Sequence, residues 1–200
     1  MNMSSESSPS LFTEVKPGTF IFEVKGALSP EQCQSMIERF EANDDQHIKG
    51  RIGQLGNTDN SVKKTTDLPV SGNPEWQDVD KQLFASMSKV LREYRSQYAF
   101  FQGPFKDKGY HMQRYLPGEY YHWHIDGGSH DFSSRQLVVL WYLNDVEGPG
   151  GETEFLYQDI KVKPEQGKLV LFPPFWTHEH RAVELQQGVK YVATTWLSFV

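Results

Sequence analysis

The sequence predicts a mainly β fold with flanking helices, and two patterns in the residue order support that expectation. From Tyr110 onward, short runs rich in β-branched and aromatic residues are separated by Gly and Pro. Seven or eight such strands at this spacing form a sandwich or barrel. Upstream, two stretches repeat their apolar residues at intervals of three and four, the mark of amphipathic helices. Such helices need a larger apolar surface to cover, so they are expected on one outer face of the sheets. A length of 200 residues accommodates this as one domain with a substantial core.

Taken in order, residues 1–10 are Ser-rich and polar and are expected to form a flexible tail, with 11–200 as a single domain. Thr19 to Val24 alternates as a first strand before the break at Gly26. Ser29-Pro30-Glu31 reads as a helix start, with Ser29 as N-cap and Pro30 in the first helical position. That helix should reach about Ala42, with Cys33, Met36, Ile37 and Phe40 on its apolar face. Asn43 to Asn73 is polar, carries Gly50, Gly53 and Gly56 and shows no clear period, so it reads as a long loop of the functional or mobile kind. Within it Lys63, Lys64, Thr65, Thr66 and Asp67 are substrate-side candidates, each competing with the plainer reading of a solvated loop residue. Asn73-Pro74-Glu75 opens a second helix that runs to about Tyr98. Its stripe of Trp76, Val79, Leu83, Met87, Val90, Leu91 and Tyr94 is core. Strands are then expected over His111–Leu116, Tyr120–Ile125, Gln136–Leu143, Thr153–Tyr157, Lys168–Phe172, His178–Glu184 and Lys190–Val200.

Composition narrows the function classes. A net charge of −6 and a pI near 5.6 provide no general basic field, so neither nucleic acid nor an anionic membrane is an expected partner, although a local basic pocket stays open. Cys33 is the sole cysteine, which excludes an intramolecular disulfide and a thiolate-rich zinc site. The N-terminus lacks a positive patch followed by an apolar core, and no apolar run reaches membrane-spanning length. The expected setting is soluble and cytoplasmic. Nothing in the sequence sets the oligomeric state.

The chemistry concentrates in the strand-rich half, which holds six of the seven histidines. Behind the Pro117-Gly118 turn, the run Tyr120-Tyr-His-Trp-His-Ile-Asp126 suits a strand, on which His124 and Asp126 point the same way. An imidazole and a carboxylate in one cavity offer a divalent metal two ligands, and a third would complete a facial triad. The run Thr177-His178-Glu179-His180-Arg181 supplies it from either His178 or His180, which share a face if the segment is extended. A cupin-type site with His122 and His124 as paired ligands is the rival arrangement.

These residues resemble the Fe(II)/2-oxoglutarate dioxygenases, and among them the prolyl 4-hydroxylase-like branch, over about Gln113 to Leu197. The resemblance implies a double-stranded β-helix (jelly-roll) core over about 109–200, with helical support over about 11–108. It implies His124 and Asp126 as metal ligands and a distal His followed, ten residues on, by a basic residue with Gly two before it. Lys190 and Gly188 stand ten and eight after His180 but twelve and ten after His178, so the register selects His180. His122 and His178, on the same faces, then read as hydrogen-bonding neighbours. Gly118 and the segments Arg135–Asp145 and Gly150–Phe155 match the family's turns and strand, while the first hundred residues match no motif of it.

The implied roles extend further. Lys190 would bind the distal carboxylate of 2-oxoglutarate through a charge-assisted bond, and Tyr115, nine residues before His124, would hydrogen-bond the same cosubstrate. Gln113 alternates onto the face of Tyr115 and is either a further cosubstrate contact or structural. Tyr121, Arg135 and Trp196 occupy the positions at which the branch holds its target proline, or are packing residues of the barrel wall. Two imidazoles and a carboxylate leave three sites on an octahedral Fe(II), for a 2-oxo acid and dioxygen, whereas zinc favours four-coordinate closure. The resemblance thus implies Fe(II) with 2-oxoglutarate and dioxygen, ascorbate as a reductant, and hydroxylation of an unactivated carbon. The expected substrate is a prolyl residue of a peptide or protein. The alternatives are a hydroxylase of a free amino acid or other small molecule, and a non-catalytic jelly-roll or cupin-type binding module.

Overall fold

The computed structural model describes residues 12–53, 56–128 and 130–200, so the expected tail lies outside the described residues. Two short strands come first, β1 (Phe12–Glu14) and β2 (Phe22–Val24), paired antiparallel. The strand expected from Thr19 starts later because Phe20 takes a left-handed φ of 58°, which a strand cannot contain. Helix α1 spans Pro30–Ala42. The Ser29 hydroxyl accepts the Gln32 N–H at 3.2 Å and the Gln32 side chain accepts the Ser29 N–H at 2.9 Å, a reciprocal cap that fixes where the helix begins.

The expectation of an irregular loop from Asn43 to Asn73 is corrected. It contains β3 (Ile48–Lys49), β4 (Lys63–Lys64) and β5 (Thr66–Pro69). Strands of two to four residues are too short to show a period, and they persist because longer neighbours supply the pairing. Lys63, Thr65 and Asp67 are buried while Lys64 is exposed, so the solvated-loop reading fails for those three. A 3-10 turn, Pro74–Trp76, capped by the Asn73 side chain, leads into α2 (Gln77–Gln97). The remaining strands are β6 (Phe105–Asp107), β7 (His111–Tyr115), β8 (Tyr120–His124), β9 (Arg135–Tyr142), β10 (Thr153–Phe155), β11 (Ile160–Val162), β12 (Leu169–Phe172), β13 (His180–Ala182) and β14 (Lys190–Phe199). Strands β6 and β11 were not expected, and β13 is shorter than expected because Trp176–His178 form a 3-10 turn.

All pairings are antiparallel and build two sheets, in the orders β1-β2-β12-β9-β14-β7-β5-β3, with β6 also on β14, and β11-β10-β13-β8-β4. Strand alternation divides the larger sheet between two cores. Leu137, Val139 and Trp141 of β9, with Leu169 and Leu171 of β12, pack in one cluster with Met36 and Phe40 of α1 and Val79, Leu83 and Met87 of α2. Val138, Tyr142, Val170, Phe172 and Val192 turn the other way and join Phe155 of the smaller sheet in a second cluster. The fold is therefore mainly β, and its second core leaves room between the sheets for a site. Among the described residues, no helix is long and apolar enough to cross a membrane.

Candidate active site

The site is built where β8 and β13 pair. His180 lies opposite His124 and Ala182 opposite Tyr121, so two steps along β13 match three along β8. That bulge defeats simple alternation. It brings Tyr121 and His124 to the same side, with ring centroids 3.5 Å apart and planes within 10°. His122, expected on the ligand face, is exposed instead and stacks on Tyr120 at 4.3 Å. Asp126 follows the strand. Its N–H and that of Gly127 both donate to the Pro174 carbonyl, at 3.1 and 2.8 Å, tying this loop to the one after β12.

His124, Asp126 and His180 converge so that one ligand atom from each lies within 4.8 Å of the others. His180 Nε2 is 3.4 Å and His124 Nε2 4.0 Å from the Asp126 carboxylate. Each imidazole donates from Nδ1 to a carbonyl, His124 to His122 at 2.7 Å and His180 to His178 at 2.9 Å. A carbonyl can only accept, so these bonds fix the Nδ1–H tautomer and leave the Nε2 lone pairs facing the centre. Burial, reinforced by the neighbouring His180, pulls His124 down to about 3 and keeps it neutral. Burial would raise Asp126, but the adjacent His180, with His124 and Arg135 nearby, outweighs it and holds the carboxyl well below its ordinary range. A neutral imidazole beside an ionised carboxylate is the donor state a divalent metal requires.

His178 does not share the face of His180, as it would in an extended segment. Its ring bonds Thr19 O at 2.8 Å and the Thr177 hydroxyl at 2.9 Å, anchoring the segment to the β1–β2 connection. Only its backbone carbonyl serves the triad.

A cavity of about 50 Å³ opens beside these residues, walled by Gln113, Tyr115, Thr153, Phe172, Lys190 and Thr194, with Tyr121 and Trp196 also lining it. Lys190 pairs with Tyr115 across β14 and β7, and both are buried. At 1% exposure Lys190 is no solvent-facing strand lysine, and it forms no ion pair among the described residues. Its ammonium instead lies 4.7 Å from the centroid of the Tyr115 ring and 5.6 Å from that of Tyr142. Burial lowers its pKa to about 7, against a smaller opposing pull from Glu152. The Tyr115 hydroxyl donates to Gln113 Oε1 at 3.2 Å.

A second cavity of about 340 Å³ shares Gln113 and Trp196 with the first. Here Arg135 is held 3.9 Å from the ring centroids of both Phe132 and Trp196 and donates to the Asp126 carbonyl at 2.8 Å. The structure thus brings together all nine residues singled out in the sequence: His124, Asp126, His180, Tyr115, Gln113, Lys190, Tyr121, Arg135 and Trp196. Phe132 and Thr194 were missed. Thr194 was legible, since it alternates with Lys190 and Val192 along β14, whereas nothing local marks Phe132.

Two imidazoles and a carboxylate set between β-sheets, with a buried lysine across the cavity, are a donor set that suits a non-haem iron. Residues 110–198 match the model of the 2OG-Fe(II) oxygenase superfamily. The matched segment, under half of the chain, is similar to a 2OG-Fe(II) oxygenase domain, and the His124, Asp126 and His180 set within it fits Fe(II) with 2-oxoglutarate as cosubstrate. The chain's fold is that of solved prolyl hydroxylases. A Trichoplax adhaerens prolyl hydroxylase in complex with a hypoxia inducible factor peptide fragment superposes with a TM-score of 0.75 at 17% identity, covering 90% of this chain and 84% of that one. A Pseudomonas putida prolyl-4-hydroxylase gives 0.70 at 21%, over 92% and 94%. The viral collagen prolyl hydroxylase of Paramecium Bursaria Chlorella virus-1, in its 2-oxoglutarate complex, gives 0.68 at 20%, over 94% and 100%. At these identities the likeness speaks for the fold alone. No curated protein sequence matches this one.

Proposed function

We propose that the protein hydroxylates a prolyl residue of a peptide or protein on a double-stranded β-helix core within one domain. In this reading His124, Asp126 and His180 hold the iron, and Lys190, Tyr115 and Gln113 hold 2-oxoglutarate. Tyr121, Arg135 and Trp196 position the substrate. The observation that carries it is Lys190, buried with no ion pair among the described residues, in the same cavity as the triad. Burying such a charge is costly unless a ligand pairs with it, and the distal carboxylate of a dicarboxylate is that partner. Bound iron, with 2-oxoglutarate and dioxygen, supplies the oxidation of an unactivated C–H bond.

The protein's own residues do the rest. Lys190 and Tyr115 orient the cosubstrate from β14 and β7, and Phe172 and Val138 exclude water from the cavity. Tyr121, stacked on His124, and Trp196, beneath Arg135, present aromatic faces next to the triad, which suit a pyrrolidine ring. The three solved structures of like fold are prolyl hydroxylases by name, one of them bound to a peptide, which supports a peptide or protein substrate. The test is turnover with Fe(II) and 2-oxoglutarate over a panel of proline-containing peptides and free amino acids. The expected result is carbon dioxide release coupled to a gain of one oxygen on proline in a peptide. Coupled turnover only with a free amino acid overturns the prolyl reading.

A further inference from the structure

The larger cavity holds more positive charge than a proline ring needs. It is lined by Arg51, Lys63 and Arg135 against a single carboxylate, Asp67, in a protein whose overall charge is −6. That carboxylate is already engaged. Lys63 Nζ donates to Asp67 Oδ2 at 2.7 Å, and the Thr65 hydroxyl donates to Oδ1 at 2.6 Å. Lys63 and Asp67 therefore cancel, yet an ammonium has three donors, and only one of those on Lys63 is used by a carboxylate. Its Nζ also lies 5.3 Å from the Tyr121 ring centroid, which places it beside the proposed proline clamp. Arg135 has no carboxylate within ion-pair distance among the described residues, its one hydrogen bond going to the Asp126 carbonyl. Arg51, exposed at the rim, forms no ion pair among them either.

Resting on the reading of the first cavity as the hydroxylation site, we infer that Arg51, Lys63 and Arg135 form a carboxylate-binding subsite, so that the substrate carries an anionic group next to the hydroxylated residue. Because Gln113 and Trp196 wall both cavities, a residue clamped beside Tyr121 has its immediate neighbour in the larger one. An oxyanion there receives donors from one ammonium and two guanidinium groups, and charge-assisted bonds of this kind are roughly twice as strong as neutral ones. An amide of the same shape receives no such gain. The carboxylate comes from an acidic side chain, the C-terminus of a peptide or a free amino acid, and all three present the same oxygens.

The experiment is calorimetric binding to Mn(II)-loaded protein with 2-oxoglutarate present, so that ligands bind without turnover. The probes are acetyl-Gly-Pro-Glu-amide and its Gln twin, acetyl-Gly-Pro with a free carboxylate and its amide, and L-proline with L-prolinamide. At least one acid should bind about tenfold tighter than its amide twin, and the pair that shows it identifies the source. Arg51→Gln, at an exposed position that the fold does not depend on, should reduce that preference at least about threefold and leave 2-oxoglutarate affinity unchanged. Equal binding within every pair, including none, while 2-oxoglutarate still binds, overturns the subsite alone. Failure to bind 2-oxoglutarate overturns the site on which it rests.

Discussion

Two histidines separated by one residue, His178 and His180, do different work because the backbone turns between them. The Nε2 of His180 is 3.4 Å from Asp126, whereas the ring of His178 is tied to Thr19 and Thr177. His180→Ala should therefore abolish metal binding, measured by Mn(II) titration. His178→Ala, which keeps the backbone carbonyl used by His180, should weaken it by about tenfold, as loss of an outer support does. Equal loss in both would refute the assignment of His180 as the ligand. At Lys190 the lowered pKa sets a pH dependence. With the group near 7 in the free protein, binding a dianion requires a proton already present below that pH and taken up above it. The 2-oxoglutarate Kd should be flat below about pH 7 and rise toward tenfold per pH unit above it. A Kd constant from about pH 6 to 9, a range spanning the ordinary charged state of lysine, would remove Lys190 from the cosubstrate site.

At the scale of elements, short strands position the chemistry. Strand β4 lies on β8 and β5 on β7, which brings Lys63 and Asp67 from the N-terminal half against the wall between the cavities. Both side chains are buried, so removing one partner leaves the other's charge uncompensated. Lys63→Met should cost about 3–5 kcal/mol in urea unfolding, and Lys63→Met with Asp67→Leu should recover most of that loss. A double variant as unstable as the single would show that the strands depend on something other than the pair. The bulge in β8 is the other device. Alternation along Tyr120–His124 predicts His122 beside His124, but the extra residue turns Tyr121 there in its place. A bulge leaves no local mark in sequence because it is set by the partner strand's register.

For the whole molecule, two clusters on opposite faces of the larger sheet separate support from function. The helices and Trp76 fill one, while the other leaves a cavity beside the triad and Lys190 in which a ligand can bind. Ligand binding should therefore raise stability by mass action. Mn(II) with 2-oxoglutarate at about a hundred times its Kd adds about 2.7 kcal/mol, a rise of several degrees in Tm for a protein of this size. Asp126→Ala should show no such rise. A wild-type Tm indifferent to both ligands would contradict the proposed site.

The helices, the strand-rich half and the grouping of His124, Asp126 and His180 were legible in sequence because each rests on something local or on a fixed spacing. A cap and an apolar stripe mark α1 and α2, and the ten residues from His180 to Lys190 hold their spacing whatever surrounds them. The edge strands β3, β4 and β5, the bulge and the exposure of each charge were decided only by tertiary structure. Two or three residues hold no periodicity, and whether Lys63 faces water or Asp67 depends on which distant strand lies alongside. The sequence by itself determined which groups are available for chemistry. Burial and register, which are properties of pairs of segments far apart in sequence, determined which of those groups meet.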